Sequence, residues 1–475
     1  MSTNSIYLRL KQKLTHKSIP GSGSTTTTPP TQPATFPPTQ PTTSPSNPGN
    51  PAATEKPVFF HYMIGSITDD HCRQDVVAAK ALGADAFALN TNSVTGTWAT
   101  DTIASLFRHA EHLGFKLFFS FDMTGFNHPN QFRHYLKSYV GRSGYFKYGS
   151  NSLPLVSTFN GGTGTFGQPS VDAGWNVELK QWMAINGAPI YFVPAFQDVP
   201  VTSSYYSTYP SLDGAMNWNS WPHNNQGQIA VQITDDQTLQ NAGRSAGKTF
   251  LMGISPLQFK HMDSGNNWYR RGEANLEIRF GQVLQLQPDF IEFQTWNDTG
   301  ESHYMGLSWP EPISGTTIGS YTNGYDHTGY NQILPAFIKA FKAGATNTDS
   351  MVPTNGAAAQ GTFWHHTLVT AAGCSDYLGP PQGANTAEDR VTAVVLVASG
   401  QSGLKATVTS GSKTLGTANL KTGYNSFSYP GVIAGQVIVK VTNAADAIVI
   451  SGTGPISVSG GGGPCNYNFQ VVGLY

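Results

Sequence analysis

The sequence predicts an α/β fold: a (β/α)8 TIM-type barrel over residues 57–345, followed by a C-terminal β-sandwich-like domain over 346–475. Two observations carry this expectation. Eight short, almost continuously apolar runs recur between Val58 and Trp296, as parallel strands buried on both faces require, and helical patterns separate most of them. From about residue 362 the chain changes to short alternating segments, with turn residues every ~8–12 positions, as in a sandwich.

Residues 1–20 carry basic side chains but no apolar core, so they do not read as a secretory signal. The Ser/Thr/Pro-rich stretch 21–56 cannot bury apolar surface, and residues 1–56 are expected to form a disordered segment and linker. The apolar runs are VFFHYM (58–63), DAFALN (85–90), KLFFSFDM (116–123), LPLVSTF (153–159), PIYFVPAF (189–196), LDGAMNW (212–218), TFLMGIS (249–255) and DFIEFQTW (289–296). After the first, Val76, Val77, Ala79, Ala81 and Leu82 suit an amphipathic helix stopped by Gly83. After the second, Ile103, Leu106, Phe107 and Ala110 suit another, stopped by Gly114. A helical pattern precedes the eighth run, and ILPAFIKAFKAG (333–344) reads as the eighth helix. The strands expected beyond are VTAVVLVAS, GLKATVTSG, KTLGTANL, YNSFSYPG, QVIVKVTNA, DAIVISG and PISVSG, before the GGGGP break at 460–464. This part shows no clear exposed aromatic trio and is expected to brace the barrel.

Only 12% of residues are charged and the formal net charge is −1, so no basic surplus exists to bind nucleic acid. Polarity comes from Ser, Thr, Asn, Gln and 51 Gly, with 12% aromatics, which suits a secreted, monomeric protein acting on neutral polymers. No apolar run is long enough to span a bilayer. Of the three cysteines, Cys374 and Cys465 share the C-terminal region and are expected to pair, while Cys72 reads as a buried thiol. No pair has metal-ligand spacing, and no metal or cofactor is expected.

A barrel carries its active site at the C-terminal strand ends. The polar residues expected there are His61, Asn90, Asp122, Asn160, Gln197, Asp198, Asn217 and Ser255, with Trp218 and Trp221 just after the sixth strand. Past the eighth strand, Asp298 and Glu301 stand three residues apart, flanked by Trp296, His303 and Tyr304. A carboxylate pair among aromatics is what glycoside hydrolysis needs: an acid for the leaving oxygen, a base or nucleophile, and ring faces for the sugar. Asp122 is a third candidate, as a modulator of the pair or as a base. Its other reading is an acid that binds backbone amides. Asp85 and Asp213 read as structural. His61 and His303 are candidates for sugar hydroxyls, and strand one lacks the HxH of metal-dependent barrels.

The motifs HYMIG (61–65), DAFALN (85–90), LFFSFDM (117–123), VSTFNG (156–161) and TWNDTGESHY (295–304) together resemble glycoside hydrolase family 71, the fungal α-1,3-glucanases or mutanases. The resemblance runs from Pro57 to the end. It implies a barrel with a β-rich C-terminal domain and endo-hydrolysis of cell-wall α-1,3-glucan with inversion. Asp298 and Glu301 fall on the family's catalytic carboxylates; Thr299 stands where the family usually has an aromatic. Glu301 is expected to be the acid and Asp298 the base, with carboxyls roughly 6.5–9.5 Å apart. A silent wall-binding protein and a hydrolase of another α-glucan are the alternatives.

Overall fold

A computed structural model describes residues 56–475; the expected N-terminal segment and linker otherwise lie outside the described residues. β1 (Val58–Met63), β2 (Ala86–Thr91) and β3 (Lys116–Asp122) are parallel neighbours, buried along nearly their whole length. α1 (Asp69–Leu82) and α2 (Thr97–Leu113) connect them. α1 begins where the Thr68 hydroxyl accepts the His71 N–H at 3.2 Å and Asp69 and Asp70 face the positive helix end. It stops at Gly83, whose φ of 95° suits a residue without Cβ.

The chain continues through α3 (Arg133–Tyr139), β4 (Lys147–Tyr148) and β5 (Leu153–Phe159). Then come α4 (Val171–Trp175), a π-helical stretch (Asn176–Gln181), α5 (Trp182–Ile185), β6 (Tyr191–Phe192), α6 (Tyr205–Thr208) and β7 (Gly214–Asn217). α7 (Thr234–Ala246), β8 (Thr249–Ile254), the antiparallel pair β9 (Gln258–Lys260) and β10 (Trp268–Arg270), α8 (Asn275–Leu286) and β11 (Phe290–Phe293) complete this half.

The main sheet runs β4-β5-β3-β2-β1-β11-β8-β7, with β6 also on β5, and every pairing except β4 with β5 is parallel. The sheet is curled, and its ends are linked: Asp213 and Met216 donate backbone N–H groups to Phe192 and Pro194 carbonyls at 3.0 and 2.9 Å. The fifth expected run keeps just two ladder residues as β6, because Pro189 and Pro194 have no N–H to offer.

After α9 (Thr317–Thr322) and α10 (Leu334–Lys342) come two four-stranded antiparallel sheets. Their strands are β12 (Ala359–His366), β13 (Arg390–Val397), β14 (Lys405–Ser410), β15 (Lys413–Asn419), β16 (Gly423–Pro430), β17 (Val437–Thr442), β18 (Ile448–Thr453) and β19 (Phe469–Leu474). The orders are β16-β13-β12-β19 and β15-β14-β17-β18. Within the first sheet β12, β13 and β19 are buried on both faces. Trp364, Val394, Leu396, Phe469 and Val471 join the core of the parallel sheet, while Phe363, Val395 and Leu474 pack in a second core with the other sheet. β12 is not among the expected strands, because AQGTFWHH, with Gln, Gly, Thr and two His, forms no apolar run. PISVSG makes only isolated bridges, through Val458 and Ser459. The described residues, 56–475, lie in one compact unit. Cys374 and Cys465 are disulfide-bonded and Cys72 is a buried free thiol. Among the described residues no helix is long and apolar enough to cross a membrane.

Candidate active site

Beyond β11 the chain makes a short loop whose two ends run side by side. Thr295 donates its N–H to the His303 carbonyl at 2.7 Å, Met305 to Thr295 at 2.9 Å, and Gly306 to Trp296 at 2.8 Å. The outgoing end lies so close that a side chain at Gly306 would stand 2.2 Å from the Trp296 ring. The tip, residues 297–302, holds both acids. Asn297 fastens it to β1, giving its Nδ2–H to the Met63 carbonyl at 3.1 Å and accepting the Met63 N–H at 2.8 Å. The Asp298 N–H meets Thr295 Oγ1 at 2.8 Å, and Asp298 Oδ1 accepts the Glu301 N–H at 3.0 Å. Ser302, at φ 56°, turns the chain back.

His303 lies under both carboxylates, and its side chain is fully enclosed. Its Nδ1 is 3.2 Å from the Gln294 carbonyl, which can only accept, so Nδ1 carries a hydrogen. Its Nε2 then faces Asp298 Oδ2 at 3.2 Å and Glu301 Oε2 at 3.6 Å. The imidazole thus stands between the two acids, an arrangement that suits proton transfer.

Glu301 is held from the other side by the β9–β10 pair. Gln258 donates its amide to Glu301 Oε2, and the Phe259 N–H donates to the Glu301 carbonyl at 2.8 Å. Trp221 fixes which way that amide points, because its Nε1–H donates to Gln258 Oε1 at 2.6 Å. The Arg270 guanidinium sits 5.5 Å from the Trp221 ring centre. Burial lowers Arg270 to about 10, and the Glu301 carboxylate pulls in the opposite direction.

With this geometry in hand, the comparisons with known proteins are specific. The family described as glycosyl hydrolase family 71 matches residues 54–475. The chain belongs to that family. Relatives include the glucan endo-1,3-alpha-glucosidase agn1 of Schizosaccharomyces pombe, 31% identical over 419 residues, covering 86% of this chain and 90% of the relative. The ascus wall endo-1,3-alpha-glucanase of the same yeast is 26% identical, covering 88% of this chain and 97% of its own. A mutanase of Penicillium rubens is 29% identical, covering 88% of each chain.

In this family 71 chain the remaining expected site residues divide. His61 is buried, with Nδ1 2.7 Å from Glu292 Oε1 and Nε2 3.0 Å from the Asn90 amide, and its ring meets Trp218 edge-on at 4.8 Å. Trp218 also packs on Phe159. Asp122 takes the N–H and hydroxyl of Thr124 on Oδ1 at 2.9 and 2.7 Å, the amide-binding role weighed for it. Gln197 is half-buried just past β6. Asn217 is tied to Asp236 Oδ1 at 2.8 Å, beside the buried Asp236–Arg279 ion pair.

Trp296 and Tyr304 are both fully buried and so present no ring face to a sugar. Trp296 donates its indole N–H to Asp75 Oδ1 at 3.0 Å. Tyr304 donates its hydroxyl to the Tyr325 carbonyl and stacks on His327 at 4.0 Å. His303 likewise lies beneath the acids with no exposed surface for a hydroxyl. Gln258, Arg270, Asp75 and Glu292 were not anticipated, although an acid inside the apolar run FIEF marked Glu292.

Asp298, Glu301 and His303 are also the set, among the described residues, whose potential ligand atoms converge, within 4.8 Å of one another.

Proposed function

We propose that the protein hydrolyses α-1,3-glucan at internal linkages of the fungal cell wall, as a secreted enzyme. The observation that carries this reading is the loop tip: two carboxylates flank one imidazole, in a family 71 chain whose relatives are named for that activity. We further infer that the curled sheet closes as a (β/α)8 barrel spanning 57–345. The two backbone bonds between the β6 and β7 regions support closure. Residues 346–475 then brace it.

Glu301 acts as general acid on the leaving oxygen, and Asp298 takes the proton of the attacking water. A single displacement of this kind inverts the anomeric carbon and needs carboxyls roughly 6.5–9.5 Å apart, whereas a retaining pair stands at roughly 5–5.5 Å. The nearest oxygens of the pair lie within 4.8 Å. Asp298 is the nearer candidate for the base, and Asp122 at the end of β3 is the other. The test is the first-formed anomer read by NMR, with Glu301→Gln, Asp298→Asn and Asp122→Asn beside the wild type. Inversion with Asp298→Asn slowed by several orders of magnitude supports Asp298 as base. Inversion with Asp122→Asn as the crippled variant moves the base to Asp122. Retention makes Asp298 the nucleophile. Near-wild-type turnover in both Glu301→Gln and Asp298→Asn sinks the site assignment.

A further inference from the structure

We propose that Tyr377 forms an outer glucan-binding subsite on the rim of the active site, contributed by the C-terminal part of the chain. This rests on the α-1,3-glucan reading above. Among the described residues two aromatic side chains are largely exposed: Tyr377, at 75%, and the terminal Tyr475. Isolated exposed apolar residues are ordinary on protein surfaces. Tyr377 differs because its ring is in water while everything around it is fastened.

Its hydroxyl donates to Asp263 Oδ1, and Thr317 donates to Asp263 Oδ2. Those two hydroxyls hold the Asp263 carboxyl below its usual range. The preceding residue, Asp376, is a five-contact anchor. Its Oδ2 accepts the Cys465 N–H at 2.9 Å and the Tyr321 hydroxyl at 2.8 Å and lies 3.0 Å from His261 Nε2. Its Oδ1 accepts the Leu378 and Gly379 N–H groups at 3.0 and 2.9 Å. The Cys374–Cys465 disulfide closes the same loop. A ring held at both its hydroxyl and its backbone loses little further freedom when a ligand lands on it, which is the condition under which an aromatic contact yields affinity.

The position is right for the substrate class. Asp263 follows β9, whose Gln258 and Phe259 bond Glu301. Gln258 and Asp263 are five residues apart, a span of at most ~18 Å, so Tyr377 stands within a few sugar lengths of the acids. The rim is continuous with the tip: a side chain on Gly300 would meet Met262 at 3.3 Å and Ile318 at 3.7 Å, the neighbours of Asp263 and Thr317. A tyrosine with its hydroxyl already committed offers mainly its face, which matches the C–H face of a pyranose in a long glucan.

The experiment is sedimentation of full-length protein with insoluble α-1,3-glucan, in a Glu301→Gln background so that hydrolysis does not erode the matrix. Tyr377→Ala should weaken binding about three- to tenfold, and Tyr377→Trp should retain it. Thermal unfolding of each variant confirms a folded chain. Unchanged binding by Tyr377→Ala overturns the proposal. So does equal loss in Tyr377→Ala and Tyr377→Trp, because the ring face would then not be the contact. The substrate reading is judged separately, by reducing-sugar release from the same glucan with Glu301 intact. Release together with unchanged Tyr377→Ala binding removes the subsite alone, whereas no release and no binding removes both.

Discussion

Asp75 carries the sharpest consequence of the way the loop of the two acids is supported. It is fully buried in α1 and accepts three hydrogen bonds: from the Trp296 and Trp309 indoles on Oδ1, each at 3.0 Å, and from the Tyr62 hydroxyl on Oδ2 at 2.7 Å. Trp296 stands two residues before Asp298, so this carboxyl holds the loop from behind. Burial raises it to about 7 despite the three donors. The unfolded chain would titrate it near ~3.9. Between those values the folded protein keeps a proton that the unfolded chain has lost, so stability falls as pH rises through the window. The cost is absent below ~4 and complete above about 7, where the difference amounts to roughly 4 kcal/mol.

Asp75→Asn tests this with little change of shape. The amide oxygen can accept both indoles, and its NH2 can donate to the Tyr62 oxygen. The variant cannot ionise and so loses the pH-dependent term. With roughly 2.1 cal/mol/K per residue over about 420 described residues, 4 kcal/mol corresponds to about 4–5 °C in Tm. Asp75→Asn should therefore melt a few degrees above wild type at pH 8.5 and converge with it near pH 4.5, with glucanase activity within a few fold. A gap between the two melting curves that stays constant from pH 4.5 to 8.5 would refute the reasoning. Asp75→Ala should do the opposite at every pH, since each of three buried donors left without an acceptor costs roughly 1–3 kcal/mol.

Gln258→Leu removes the amide donor from Glu301 and should cut kcat/KM on α-1,3-glucan about 10- to 100-fold, as one hydrogen bond to a charged group is worth roughly 1.5–3 kcal/mol; a full-rate variant removes Gln258 from the machinery. Trp221→Phe frees the same amide to rotate and should lower the rate less, with the double variant no worse than Gln258→Leu. Replacing Cys374 and Cys465 by Ser opens a closure of 91 residues and should lower stability by up to about 4–5 kcal/mol, read as a lower Tm; an unchanged Tm would mean that the clip adds nothing to Asp376 and its contacts.

The strands of the parallel sheet were legible because burial on both faces leaves an unbroken apolar run, and Asp298 with Glu301 because acids after such a run break its pattern. Residues reached only through tertiary contact were not. Gln258 is 43 residues from Glu301 in sequence, and nothing in the stretch around it points to that contact. Asp75 sits in an amphipathic helix, where an acid reads as a solvated face. Trp296 and Tyr304 illustrate a different failure. Their position past a strand end suggests a rim, but tertiary partners hold both rings inside: Asp75 takes the Trp296 indole N–H, and Tyr304 bonds the Tyr325 carbonyl and stacks on His327.

The inward turn of Tyr304 gives the C-terminal sheets a part in holding the site. Its hydroxyl is met by the Asn468 amide at 3.3 Å. His327 spans the gap, with Nδ1 2.8 Å from the Tyr304 carbonyl and Nε2 2.9 Å from that of Phe469, where β19 begins. Both partners are carbonyls, which only accept, so both ring nitrogens face acceptors. Burial nevertheless lowers His327 to about 4, so at neutral pH the ring carries one hydrogen and can satisfy one carbonyl at a time. The loop is thus fixed by β1 through Asn297, by β9 through Glu301, by α1 through Trp296 and by β19 through Tyr304. The fourth hold is one that acid weakens: between ~6.5 and about 4 the unfolded chain takes up a proton that the buried His327 refuses, so its contribution to stability falls as pH falls.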